Sequence, residues 1–140
     1  MKKIAVILSG CGVMDGSEIH EATLTLLNIA AQGAKYQCAA PDAPQTRVFD
    51  HYSKKESGEK RNMLAESARI ARGEIVKLSA ISAKDYDAVI FPGGLGASLN
   101  LCDFSKTGGK VTKVDAQVEK LIADFHAAKK PIGAMCMAPV

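Results

Sequence analysis

The chain has 140 residues, of which 47% are hydrophobic, and this length predicts a single domain, residues 1–140, around one core. Its 18 Lys and Arg against 15 Asp and Glu give a net charge of only +3, and the cationic residues are scattered, which argues against nucleic-acid binding. No apolar run has the length of a signal peptide or a membrane span, so we expect a soluble, cytoplasmic protein.

The first forty residues have the pattern of a βαβ unit. A continuous apolar run over residues 3–8 is typical of a parallel strand buried on both faces, and a glycine-rich loop follows at 9–16. Ser17 is the expected N-cap of a helix that ends at Gly33, and residues 36–40 form the next strand. The spacing of the apolar residues predicts that this helix buries Ile19, Thr23, Leu24, Leu27 and Ala31.

The middle of the chain leaves the sheet and returns to it. Residues 41–58 are polar and rich in turn formers, with an edge strand or hairpin arm expected at 47–52. A helix over 62–72 and a short strand at 75–78 follow. The helix is expected to bury Met63, Leu64, Ala68 and Ala71.

The last third contains two further strands. Residues 88–91 form an apolar strand that leads into the turn 92–97, which contains three glycines. A helix before the final strand, 132–135, is indicated by the spacing of Val114, Val118, Leu121, Ile122 and Phe125. We therefore predict an α/β fold, a doubly wound sandwich with a mostly parallel sheet, in which ligands bind at the carboxyl ends of the strands.

Cys136 directly follows the last predicted strand and has small neighbours, Gly133, Ala134 and Ala138. A strand that enters a tight bend lifts one side chain off the sheet edge, and a helix after the bend favours a thiolate there. The alternative is a buried cysteine that ends a core strand. The four cysteines show no C-x-x-C pair, so the sequence signals neither a zinc site nor a disulfide framework.

Two other loops meet Cys136 at the same edge of the predicted sheet, the one after the first strand and the glycine turn. Backbone N–H groups at Gly93 and Gly94, together with the N–H of Met137, can stabilise an oxyanion on a substrate bound to the cysteine. A turn of this composition is also common as a purely structural feature. The convergence of three loops favours a functional site.

Glu18 and Glu21 lie in the first turns of the first helix. One interpretation is that they cap the helix and interact with its dipole. The other is that one of them lies near Cys136 and moves protons. His20, between them, is expected to face solvent.

Four segments together carry a family resemblance: residues 3–12, 15–21, 91–97 and 133–139. They resemble the ElbB group of glyoxalases, also described as isoprenoid-biosynthesis proteins with an amidotransferase-like domain, in the PfpI-like superfamily of class I glutamine amidotransferase-like folds. The resemblance implies a flavodoxin-like sandwich and cysteine-dependent chemistry on glyoxal or methylglyoxal, converted to 2-hydroxy acids. It further implies no cofactor and a homodimer.

The resemblance also implies roles for single residues. Cys136 takes the place of the nucleophile, Gly94 and Met137 those of the oxyanion donors, and Glu21 that of the partner carboxylate, with Glu18 as the reserve. Met137 stands where protease-like members have a histidine, so peptidase activity is not expected.

The chain stops four residues after Cys136, before the His and Glu that glutamine hydrolysis needs. We therefore expect either a domain whose C-terminal part is missing from this chain, or a fold that another chain completes. The alternative to an enzyme is a non-catalytic binding or stress-sensing module, in which Cys136 is an oxidation-sensitive thiol and any role in isoprenoid synthesis is accessory.

Overall fold

The computed structural model describes all 140 residues, Met1–Val140, and its centre is a five-stranded parallel sheet. In chain order the elements are β1 (Lys3–Ile7), α1 (Ile19–Ala31), β2 (Lys35–Ala40), β3 (Phe49–Asp50), β4 (Lys55–Glu56), α2 (Met63–Ile70), β5 (Ile75–Lys77), a 3₁₀ turn (Leu78–Ala80), β6 (Ala88–Phe91), α3 (Leu95–Asn100), α4 (Ala116–Ala127) and β7 (Ile132–Ala134). The predicted α/β sandwich with a parallel sheet is confirmed.

The order of the strands creates a switch point at the centre of the sheet. Across the sheet the strands run β5-β2-β1-β6-β7, and every neighbouring pair is parallel. The chain builds outward from β1 through β2 to β5, and then crosses back to add β6 and β7 on the other side. The loops that follow β1 and β6 therefore leave the sheet next to each other, which is where ligands bind in this class of fold.

Strand β1 is buried on both faces because its alternate residues pack into two different hydrophobic clusters, one on each side of the sheet. Ala5 and Ile7 pack on one side with residues of α4, including Phe125, which is fully buried. Val6 and Leu8 pack on the other side with residues of α1 and α2. This is the two-faced burial that the continuous apolar run predicts.

Helix α1 turns a different face to the sheet from the predicted one. Its buried side chains are Ala22, Leu26 and Ile29. Ile19, Leu24 and Leu27, which the spacing placed inside, are 42%, 55% and 62% exposed. The prediction was wrong because apolar residues occur all around this helix, so that their periodicity does not fix its rotation.

The start of α1 also differs from the prediction. Glu18, not Ser17, is the N-cap, and its Oε2 accepts the N–H of Glu21 at 2.7 Å. Ser17 is fully buried, and its Oγ accepts the N–H of Ser9 at 2.9 Å. Ser17 therefore ties the loop after β1 to itself rather than capping the helix.

Two further differences lie in the helices. Helix α2 buries Ser67, whose Oγ accepts the N–H of Gly10 at 2.9 Å, whereas Leu64 and Ala68 are only half-buried. Helix α3 begins inside the glycine turn and has no counterpart in the prediction.

The predicted hairpin arm is present as the short antiparallel pair β3–β4. No helix combines the length and the hydrophobicity that a bilayer span requires.

The rotation of α1 can be tested with two neighbouring leucines. Leu26→Ala removes a buried side chain and should lower the free energy of unfolding by about 2–4 kcal/mol. Leu27→Ala removes an exposed one and should change it by less than about 0.5 kcal/mol. Urea unfolding of both variants measures the difference, and a larger loss in Leu27→Ala than in Leu26→Ala would restore the predicted orientation.

Candidate active site

The site forms where the loop after β1 lies against the turn after β6. Three backbone hydrogen bonds join them: the N–H of Glu18 donates to the carbonyl of Gly93 at 2.8 Å, that of Leu95 to Val13 at 2.8 Å, and that of Gly96 to Gly16 at 2.9 Å. Side chains are too bulky for this contact, since a Cβ on Gly96 would lie 2.4 Å from the Cα of Gly16. The two loops therefore form one rigid unit at the switch point.

Glu21 reaches across from α1 to this turn. Its Oε2 accepts the N–H of Gly93 at 2.9 Å. The carboxylate lies one turn into α1, on the side of the helix where Thr25 meets the end of β7, with Thr25 Oγ1 3.8 Å from the sulfur of Met135. Glu21 is thus held at the carboxyl edge of the sheet, on the side of Cys136.

Gly93 brings Glu21 and Cys136 together because it has no side chain. An ideal Cβ on Gly93 would lie 2.4 Å from the Cβ of Cys136 and 2.5 Å from Oε2 of Glu21. Both distances are shorter than real carbon contacts, so any larger residue would push the carboxylate and the cysteine apart. The two groups meet at the position that a side chain on Gly93 would occupy.

Cys136 stands at the end of β7 in a left-handed backbone conformation. Its φ is +53°, a region that residues with a side chain rarely occupy. The N–H of Met135 still bonds to the carbonyl of Phe91 at 3.2 Å, and the N–H of Ala138 closes a turn onto Met135 at 2.9 Å. The strand thus ends abruptly beneath the cysteine, which is exposed to solvent.

The backbone N–H groups near the cysteine that have no acceptor within the chain include those of Gly94 and Met137. Gly94 has a φ of +98° and is the N-cap of α3, so its amide lies at the start of that helix. The N–H of Gly93, a predicted oxyanion donor, is instead taken by Glu21. Of the three predicted donors, the N–H groups of Gly94 and Met137 have no acceptor in the chain, whereas that of Gly93 is occupied.

The carboxylates of Glu18 and Glu21 make different contacts. Glu18 serves the end of α1, because Oε2 accepts the N–H of Glu21 and Oε1 lies 3.4 Å from Nδ1 of His20. The His20 side chain is exposed, as predicted. Of the two carboxylates, the structure places Glu21 beside Gly93 and Cys136.

The larger cavities lie elsewhere, and the site is open to solvent. The largest, about 580 Å³, is bounded by Lys84, Lys120, Asp124 and Lys130 next to α4. An apolar groove of about 220 Å³ lies under the end of β7 and includes Ala138 and Val140. No three His, Cys, Asp or Glu side chains are grouped to hold a metal ion.

Sequence reasoning missed the residues that support the site from a distance. Thr25 lies one turn after Glu21 on the same face of α1, a spacing that would have flagged it. Arg47 and His51 contact Met14, in the loop after β1, although they are 33 and 37 residues away in the sequence. No local sequence pattern predicts these contacts.

The chain is similar over its whole length to three curated proteins. It is 54% identical over 140 residues to the ES1 protein homolog, mitochondrial, of Rattus norvegicus, and 52% identical over 139 residues to the human glutamine amidotransferase-like class 1 domain-containing protein 3, mitochondrial. It is 45% identical to the ES1 protein, mitochondrial, of Danio rerio. Each match covers at least 98% of this chain and 52% of the relative, so the chain spans about half the length of these proteins.

Solved structures show the same fold. A crystal structure of an isoprenoid biosynthesis protein with an amidotransferase-like domain from Ehrlichia chaffeensis matches with a TM-score of 0.94 and 40% identity, over 99% of this chain and 63% of that one. DJ-1 of Toxoplasma gondii, in an oxidized form, matches with a TM-score of 0.55 and 22% identity, over 99% of this chain and 58% of that one. No protein-family model matches the chain.

With its parallel sheet and the switch point between β1 and β6, the chain has the flavodoxin-like fold of amidotransferase-like and DJ-1/PfpI proteins. Within this class of fold, its relatives are the ES1 proteins and the ElbB-like isoprenoid-biosynthesis protein, which confirms the resemblance seen in the sequence. The expected cytoplasmic location is wrong by the same comparison, because all three curated relatives are named mitochondrial.

The four cysteines should differ in their reactivity toward iodoacetamide at neutral pH. Burial raises the pKa of the Cys38 thiol to about 11, and burial together with the charge of Glu66 raises the pKa of Cys11. Both thiols therefore stay protonated at neutral pH and react slowly with iodoacetamide. Cys38 ionises only as the pH nears 11. Cys102 is buried and Cys136 exposed.

We expect Cys136 to be alkylated first, as measured by peptide mass spectrometry after short exposure to the reagent. The buried Cys102 serves as the internal control. Faster modification of Cys11 or Cys38 than of Cys136 would count against Cys136 as the reactive thiol.

Proposed function

We propose that the protein is a cofactor-independent glyoxalase, which converts glyoxal or methylglyoxal into a 2-hydroxy acid through a covalent adduct on Cys136. The observation that carries the proposal is the approach of Glu21 and Cys136 at Gly93, beside two backbone N–H groups with no acceptor in the chain. This set supplies a nucleophile, a proton carrier and an oxyanion site within one small space.

In the first step the sulfur of Cys136 attacks one aldehyde carbon of the substrate. A carbon–sulfur bond forms, and the electrons of the carbonyl double bond move to its oxygen. The N–H groups of Gly94 and Met137 stabilise the negative charge on that oxygen until it takes up the thiol proton, which gives a hemithioacetal. Cys136 is exposed to solvent, so a small substrate can reach the sulfur.

In the second step Glu21 carries a proton between the two substrate carbons. Its carboxylate removes the proton from the carbon that bears sulfur and returns it to the neighbouring carbon, while the hydroxyl proton on the first carbon moves to the oxygen of the second. The first carbon is thereby oxidised to a thioester and the second reduced to an alcohol, so no external oxidant is required. Water then cleaves the carbon–sulfur bond, which releases the 2-hydroxy acid and restores the thiol.

The exposure of Cys136 favours one alternative, a redox-sensing module in which this thiol is oxidised reversibly. The names of the relatives also support two features of the biological setting. We propose a mitochondrial location from the three curated proteins, and an accessory link to isoprenoid biosynthesis from the Ehrlichia protein. Turnover of glyoxal separates the enzyme from the sensor.

The roles of the two glutamates can be tested as a matched pair. Glu21→Gln should lower kcat for glyoxal by about 100-fold or more, the usual range for loss of a general acid–base. Glu18→Gln keeps an acceptor at the helix end and should have a much smaller effect. The 2-hydroxy acid formed is the quantity to measure, by chromatography against time.

Cys136→Ser completes the set, because it removes the nucleophile and should abolish turnover. If this variant keeps the wild-type rate, the covalent route is excluded. If Glu18→Gln loses more activity than Glu21→Gln, the assignment of the proton carrier is reversed.

A further inference from the structure

The segment around β3 grips one peptide of the loop after β1 from both sides. Arg47 donates to the carbonyl of Met14 through Nε at 3.1 Å and through Nη2 at 2.7 Å. His51 accepts the N–H of Met14 at Nε2, at 3.2 Å. Its Nδ1 lies 3.0 Å from the carbonyl of Phe49 and carries the ring proton, because a carbonyl only accepts. Both polar groups of Met14 are thus fixed by side chains from residues distant in sequence.

A second layer of contacts fixes the next residue, Asp15. Its side chain is buried, and Oδ2 accepts the N–H of Phe49 at 2.7 Å. Its backbone carbonyl accepts Nε2 of Gln45 at 3.3 Å and Nδ2 of Asn100 at 3.0 Å. The loop at Met14 and Asp15 is therefore held by four side chains and one strand, although it has no regular secondary structure.

The loop at Met14 and Asp15 is hydrogen-bonded to the turn after β6, which contains the Gly94 amide. The carbonyls of Val13 and Gly16, on either side of the gripped residues, accept the N–H groups of Leu95 and Gly96. Gly94 itself lies against the loop, since a Cβ there would fall 2.4 Å from the carbonyl oxygen of Gly16. Movement at Met14 must therefore displace the start of α3 and the amide in front of it.

We infer that Arg47 is a positioning residue, which orients the Gly94 N–H toward the oxyanion by holding Met14. This inference rests on the proposed function for its effect on turnover, but not for its effect on the loop. Arg47 suits the task because its planar guanidinium places two N–H donors on one carbonyl, which a lysine does not do. Its other contacts, 3.3 Å from Nη1 to Glu56 and 5.3 Å from the guanidinium carbon to the centre of the Phe49 ring, stay within the β3–β4 hairpin.

The test compares Arg47→Met with Glu56→Gln. The first removes the grip on Met14 and keeps most of the side-chain volume, whereas the second removes only the ion pair within the hairpin. Arg47→Met removes the two bonds to the Met14 carbonyl and leaves the bond from Met14 to His51 in place. An amide that acts on the transition state alone affects kcat, so Arg47→Met should lower kcat about tenfold at an unchanged KM. Arg47→Lys should recover part of this loss, and Glu56→Gln should retain the wild-type kcat.

Amide hydrogen exchange gives a reading that does not depend on catalysis. In Arg47→Met, the amides of Leu95 and Gly96 should exchange faster, whereas that of Leu8, bonded to Ala39 in the sheet at 2.8 Å, should keep its protection. Unchanged exchange at Leu95 and Gly96, or an equal rise at all amides, would overturn the inference.

The two measurements also separate the inference from the function. Faster exchange at Leu95 and Gly96 in a protein that does not turn over glyoxal supports the grip and rejects the glyoxalase. An equal kcat in Arg47→Met and wild type, with glyoxal turned over by both, rejects the positioning role.

Discussion

The site depends on one close approach, in which the carboxylate of Glu21 and the side chain of Cys136 both border the space that a side chain on Gly93 would fill. A hydrogen bond of 2.9 Å holds Glu21 on the Gly93 amide, and the absence of a side chain lets the cysteine come up against the same residue. Glu21 lies in the helix that follows β1, Gly93 follows β6, and Cys136 follows β7. This contact therefore exists only if the three strands end at the same level of the sheet. The sheet supplies that alignment.

The parallel register explains why the three ends coincide. Val6 of β1 pairs with Ile90 of β6, and Phe91 pairs with Ala134 of β7, so the strands run out within a few residues of one another. After β5 the chain crosses back to the other side of β1 and adds β6 there. This change of direction leaves a gap between the loops after β1 and β6, which α1 and the glycine turn occupy together. Side chains buried on both faces fix β1 within the core, and β6 and β7 are aligned to it through the register of the sheet.

Much of this arrangement could be predicted from the sequence because it is local or periodic. Continuous apolar runs identify β1 and β6, and a cysteine among small residues after a strand identifies Cys136. The rotation of α1 could not be predicted, because the helix is apolar around its circumference and only the sheet selects Leu26 over Leu27. The N-cap was missed because Ser17, the better capping residue by type, was needed inside the loop.

The choice between Glu18 and Glu21 required the structure as well. Both carboxylates lie within one turn of the same helix start, and sequence alone assigns either of them to capping. Arg47 was invisible for a different reason. Its partner, Met14, is distant in sequence and offers only a backbone carbonyl, which any residue has.

The most direct measurement for the central claim is the position of the covalent adduct formed with glyoxal. Glu21→Gln should arrest the reaction after sulfur attack, so acid quenching during exposure to glyoxal and mass spectrometry of the peptides should find one glyoxal unit on the Cys136 peptide. Cys136→Ser should show no adduct on that peptide. Adducts confined to Arg and Lys side chains, with the Cys136 peptide unmodified, would contradict the account.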